Sequence, residues 1–182
     1  MRVLVPQRVA VITTAAFLLA ACGSRANRFT GHGYTFDYPG NWTPRSNLAF
    51  AAAAAGGALS KEAVGLDGVN LVVVLTTRLG QPVTSQVLPR LEVQASNDIR
   101  EVAARGGGTV ARGPQPITFG GLPAFVFDLS GIRVGRATVD GRLVLAFRGR
   151  IEYLLFCQHT AQRADEVESG CDQIVRTFRL TV

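Results

Sequence analysis

The chain has 182 residues and a formal charge of +6, carried almost wholly by arginine because Lys61 is the single lysine. That length suits one domain with a sizeable core, and three cysteines without any Cys-x-x-Cys exclude a zinc knuckle and a dithiol redox site. A pI near 10 would ordinarily suggest nucleic acid, but the arginines are scattered rather than set between aromatics, so anionic lipid headgroups, cell-wall polymers or plain solvent are the expected neighbours and no nucleic-acid partner is predicted.

Arg2 and Arg8 lead into an apolar run from Val9 to Ala21, the build of a secretory signal. The run is shorter than the roughly 20 residues a membrane-spanning helix needs, so cleavage is expected. Leu19-Ala20-Ala21-Cys22 resembles the bacterial lipobox, in which the cysteine thiol is acylated and becomes the first residue of the mature lipoprotein. Residues 1–21 are then a lipoprotein signal peptide, Cys22 is the lipidation site, and the product is lipid-anchored at the extracytoplasmic face of the cell membrane. Cleavage after Ala20-Ala21 without acylation, or retention as an uncleaved anchor, are the alternatives. Without residues 1–21, which hold Arg2 and Arg8, 161 residues and a formal charge of +4 remain.

Residues 22–33, small and polar after Cys22, read as a tether, and residues 34–182 as a single domain. Tyr34-Thr35-Phe36-Asp37-Tyr38 alternates aromatic and polar residues at period two, predicting a first strand with its aromatic face inward, closed by Pro39-Gly40-Asn41 and followed by Trp42. The Ala-rich segment 48–59 carries no amphipathic period. A loop, a short buried helix, or an apolar flap over lipid or a pocket are its readings. The β-branched run Leu71 to Leu75 predicts a strand covered on both faces.

From Val87 to Ala104, Leu88, Leu91, Ala95, Ile99 and Val102 recur at intervals of three and four, predicting an amphipathic helix with Pro89 in its first turn and Gly106 to Gly108 as its stop. Beyond Gly113 the sequence predicts strands over 116–119, 123–130, 134–139, 142–148 and 151–158, forming an antiparallel meander. Asp140-Gly141 is the strongest hairpin signal among their separators. Both faces of these strands are apolar, so the sheet centre is expected to be covered on both sides. A last helix over 163–178 places Ala164, Val167, Cys171, Ile174 and Phe178 on one stripe. Cys157 lies on the core-facing parity of the final strand, so a Cys157–Cys171 disulfide is expected, consistent with an oxidising compartment.

Tyr-Thr-Phe-Asp-Tyr-Pro-Gly-Asn-Trp after a lipobox tether, and Gly149-Arg150-Ile151-Glu152-Tyr153-Leu154-Leu155-Phe156-Cys157 before a helix and Thr177-Phe178, resemble the PsbP-like group of exported lipoproteins, which includes actinobacterial members of the LpqN type. The resemblance implies an α+β fold with an antiparallel β-sheet flanked by helices on both faces, an α/β/α sandwich of the PsbP-like type. It also implies an accessory or binding role without a shared catalytic site.

Chemistry is sparse. His32 sits between glycines in the tether and His159 follows the last predicted strand; neither sits in a recognisable catalytic context, and the sequence has no Gly-x-Ser-x-Gly elbow. Asp165, Glu166, Glu168 and Asp172 form the one dense acidic group, with Asp165, Glu168 and Asp172 on a common helix face, but acids near a helix N-terminus are favoured by its dipole without any cation. No catalytic residue, metal ligand or cofactor is predicted, and no ligand-binding residue can be named. The expected function is a lipid-anchored, non-catalytic binding or accessory protein for an envelope partner. The alternatives are a carrier of an apolar small molecule or lipid, marked by an apolar cavity of about 300 Å³ or more, and an envelope hydrolase.

Overall fold

The computed structural model describes residues 25–45 and 58–181. Alternation makes Tyr34–Tyr38 a strand (β2) with Tyr34, Phe36 and Tyr38 buried, and it pairs with β1 (Asn27–Gly31) on one side and β9 (Arg179–Leu180) on the other. The predicted tether is therefore too long at its C-terminal end: Asn27–Gly31 is a strand, because Phe29 packs its ring on Phe36 at 5.0 Å. Cys22 and the expected signal peptide lie outside the described residues, as does most of the Ala-rich segment, of which Ala58 and Leu59 open β4 (Ala58–Gly65).

The main sheet is antiparallel throughout, in the order β3 (Thr43–Pro44), β4, β5 (Leu71–Val83), β8 (Ala137–His159), β7 (Leu122–Val134), β6 (Thr109–Phe119). The two halves of β8 have different neighbours, Ala137 to Ala146 pairing with β7 and Gly149 to Gln158 with β5. Gly149, at φ 57°, is where β8 doubles back on itself, which brings Gly141 against Cys157. The predicted break between 142–148 and 151–158 is thus a true turn.

Asp140-Gly141 is not one. The turn before β8 is Gly135-Arg136, between the paired Val134 and Ala137, with Gly135 at φ 61°. Asp140 instead clamps the bulge of the neighbouring strand, its carboxylate accepting the Ser130 hydroxyl and the Gly131 N–H, both at 2.8 Å. Gly141 is required by close approach: a Cβ there would lie 2.2 Å from the Cys157 carbonyl oxygen.

Two helices cover opposite faces of this sheet. Helix α1 (Leu88–Arg105) follows the predicted stripe, with Pro89 in its first turn, and lays Ile99 on a cluster that includes Phe127, Leu129, Ile132 and Phe156. Helix α2 (Ala164–Thr177), preceded by a 3₁₀ turn at Ala161–Arg163, buries Val167, Cys171 and Ile174 against the other face together with the aromatic side of β2. The Thr177 hydroxyl accepts the Asp37 N–H at 2.9 Å and so fastens the end of α2 to the small sheet.

Gly170, the glycine of α2, lies against Trp42, whose ring a Cβ there would meet at 2.3 Å. Gly→Ala inside a helix ordinarily gains about 1 kcal/mol, whereas overpacking a filled core costs about 1–3 kcal/mol. Trp42 is 1% exposed and cannot swing into solvent. Gly170→Ala is therefore expected to lower the urea midpoint in spite of its better helix propensity; an unchanged or raised midpoint would show that the Trp42 pocket yields.

Candidate functional site

The two sides of the sheet differ in how well they are filled. Beneath α2, Phe119, Phe178, Tyr34, Leu155 and Ile174 are all at 0% exposure, and Phe178 stacks on Phe119 at 4.2 Å. Beneath α1, only Ser96, Ile99 and Ala103 of the helix are buried. Leu91, Ala95 and Val102 lie on the same apolar stripe but stay half-buried, because they border an open cavity of about 420 Å³ between the helix and the sheet.

The floor of that cavity is built by strand parity. Leu143, Leu145 and Phe147 project from the first half of β8, and Leu154 and Phe156 from the second, while Leu79 of β5 adds an edge. These are side chains that alternation places on the α1 face of each strand. The predicted apolar parity therefore holds, and part of what it describes is a pocket wall.

Polar groups enter the cavity from two elements. Gln94, Asp98, Glu101 and Arg105 come from α1, and Glu152 comes from β8, on the same strand face as Leu154 and Phe156. Arg105 is answered by Glu101 at 3.5 Å. Among the described residues the Glu152 carboxylate has no hydrogen bond or ion pair, its backbone being paired with Thr77 of β5. Burial, and then the nearby Asp98 charge, raise its pKa above the ordinary carboxylate value. With its folded-state pKa raised, Glu152 favours the folded protein most while protonated, and that contribution is lost as pH rises through the raised pKa.

A second, polar cleft of about 340 Å³ lies on the α2 side, where Asp140, His159, Glu168 and Arg142 converge beside the disulfide. Its members are occupied with one another. Arg142 Nη1 donates to Asp172 at 2.7 Å, Arg112 Nη2 pairs with Asp128 at 2.5 Å, and His159 Nε2 lies 3.4 Å from Glu168. The Ser130 hydroxyl is given to Asp140 rather than to a histidine. The Gly131 N–H, then the Ser130 hydroxyl, hold the Asp140 carboxyl below its ordinary value, a poor state for a general base at neutral pH. The cleft is a structural network that ties α2 to the sheet.

The residues singled out in the sequence are dispersed. His32 occupies the β1–β2 turn and its Nε2 pairs with Glu62 at 2.9 Å. His159 is buried at the end of β8, with Nδ1 3.3 Å from the Thr160 carbonyl. Of the acidic group, Glu166 accepts from Asn41 and Arg163, Glu168 faces His159 and Asp172 takes Arg142. Among the described residues no cluster of three His, Cys, Asp or Glu side chains is placed to hold a metal, and no helix is long and apolar enough to cross a membrane. Cys157 and Cys171 are bonded, with Cα atoms 5.9 Å apart.

Sequence reasoning missed Glu152 and Asp98. The available signal was parity: Glu152 is the charged member of a strand face otherwise carrying Leu154 and Phe156, and Asp98 adjoins Ile99 of the buried stripe.

No protein-family model matches this chain, and no curated protein matches it. Among solved structures, the solution structure of cyanobacterial PsbP (CyanoP) from Synechocystis sp. PCC 6803 is similar to it, with a TM-score of 0.59 over 89% of this chain and 98% of that one, at 15% sequence identity. A likeness at that identity speaks to architecture, and with helices on both faces of an antiparallel sheet the chain has the PsbP-like fold.

Proposed function

We propose that the protein is a non-catalytic carrier of an apolar small molecule or lipid chain, a lipoprotein of the LpqN type held at the extracytoplasmic membrane face by acylated Cys22. The observation that carries this reading is the cavity beneath α1. Its volume of about 420 Å³ falls within the roughly 300–1,000 Å³ of small-molecule pockets, and its walls are apolar with a few polar groups, as such pockets are. The envelope-accessory role would be favoured by a filled core and a contiguous apolar patch. Among the described residues the exposed large apolar side chains are Leu59, Val87 and Val93, which are single residues of the kind any surface carries. Anchoring adds function by confining the carrier to the surface where apolar ligands concentrate.

The test uses the full chain, purified in a nonionic detergent, with octanol as a neutral apolar probe. Octanol is expected to raise the Tm of the wild type, as any ligand selective for the folded state does. Ala95→Trp, which places an indole where the half-buried Ala95 borders the cavity, is expected to fold and to lose that response. A wild type that ignores octanol would overturn the carrier reading. Intact mass of the protein from its native membrane should begin at acylated Cys22; an unacylated mass would remove the anchor.

A further inference from the structure

The polar lining of this cavity is uneven in a way that selects among apolar ligands. Apart from Gln94, the polar side chains reaching it are Asp98, Glu101, Arg105 and Glu152. Arg105 is neutralised one helical turn away by Glu101, which leaves Asp98 and Glu152 as the uncompensated charges. They approach from opposite walls, one on α1 and one on the β8 floor. Among the described residues neither carboxylate has a cationic partner. This acidic spot lies in a chain whose overall formal charge is +6, so net charge does not account for it.

Glu152 also stands where a hydrophobic residue would fill the floor beside Leu154 and Phe156. A carboxylate there costs desolvation and repulsion from Asp98 unless something positive meets it. The apolar floor beside it offers room for a hydrocarbon body. An anionic amphiphile would bring a third negative charge beside these two carboxylates, which discriminates against it.

We propose that the cavity takes a cationic amphiphile, an apolar molecule bearing a protonated amine, with the hydrocarbon on the β8 floor and the ammonium between Asp98 and Glu152. This rests on the carrier reading and names the class of its ligand. The ammonium donates hydrogen bonds to both carboxylates and cancels their mutual repulsion. Gln94, beside Asp98 on the cavity side of α1, is the neutral polar group within the same pocket.

The test compares octylamine, octanol and octanoate on the full chain in nonionic detergent at neutral pH, reading affinity from the ligand-dependent rise in Tm. Octylamine is expected to bind roughly tenfold or more tightly than octanoate, with octanol between them. Glu152→Gln keeps the size and polarity of the side chain, and is expected to remove most of that preference, read as the ratio of octylamine to octanoate affinity within the variant. Asp98→Asn, on an exposed helix position that folding does not depend on, is expected to act in the same direction. If octanol binds but octylamine has no advantage over octanoate, the cationic ligand is wrong and the carrier stands. If the preference survives in both variants, the acidic pair is not its source. If octanol itself does not bind, the failure belongs to the carrier reading.

Discussion

Replacing Phe178 by alanine is expected to cost about 3–5 kcal/mol, the range for removing a large buried aromatic, while Leu91→Ala is expected to cost about 1 kcal/mol or less. The difference expresses the asymmetry of the two faces. Phe178 is at 0% exposure and its ring stacks on Phe119 at 4.2 Å and on Tyr34 at 5.2 Å, with Tyr153 edge-on at 6.1 Å. Removing it leaves a void that aromatic neighbours on three different elements cannot close together. Leu91 is half-buried on the wall of an open cavity, so its methyl groups have partners on one side only and solvent already reaches the other. Urea denaturation of the two variants checks the comparison. Equal costs would mean that α1 is clamped down on the sheet in solution, and the carrier reading would lose the space it depends on.

Legibility in the sequence followed the strength of the local period. Both helices were readable to within a residue or two because their apolar stripes agree with their stops: α1 ends at Gly106 and α2 before Phe178. The doubling of β8 at Gly149 was readable from turn chemistry, and the covering of the sheet on both faces from apolar residues at both parities. Asp140-Gly141 misled because an aspartate–glycine pair has two uses. Its glycine can supply positive φ in a hairpin, or it can let a neighbouring strand approach, and only the tertiary partner Cys157 distinguishes them. β4 carried no signal, since Ser60, Lys61 and Glu62 have little strand preference and the strand is held by pairing with β5. The tether reading failed at Asn27–Gly31 for a related reason: a short edge strand takes its stability from β2 rather than from its own composition.

The candidate site was half legible. Each wall of the cavity is a periodic pattern that sequence analysis finds, but periodicity reports which side chains turn inward and not whether the space between them is filled. Leu91 and Ile99 are equivalent on the stripe, yet Ile99 is buried and Leu91 is not. The distinction depends on how far α1 stands off the sheet. Glu152 shows the same limit from the polar side. A lone acid at an inward parity invites a search for its partner, and the partner proposed for it is a ligand rather than another residue.

Replacing both Cys157 and Cys171 by alanine is expected to lower stability by roughly 3 kcal/mol, the chain-entropy figure for a closed loop of about 15 residues. The bond joins the second half of β8 to the middle of α2 across a sequence separation of 14, and both residues are at most 1% exposed. It holds the filled face of the sandwich, where Ile174 and Val167 sit beside it in the same cluster. The face that carries the cavity lies on the other side of the sheet. The variant is therefore expected to unfold earlier in urea but, below its new midpoint, to bind octanol as the wild type does. Reducing the wild type should reproduce the variant's midpoint, since both then lack the same cross-link; Ellman titration of the denatured, unreduced protein should find neither of these thiols free. Two titratable thiols at positions 157 and 171, or a midpoint indifferent to reductant, would show that the bond is not formed in the cell. Loss of octanol binding on reduction would show instead that the two faces are coupled, with α2 holding the sheet in the curvature that keeps the cavity beneath α1 open.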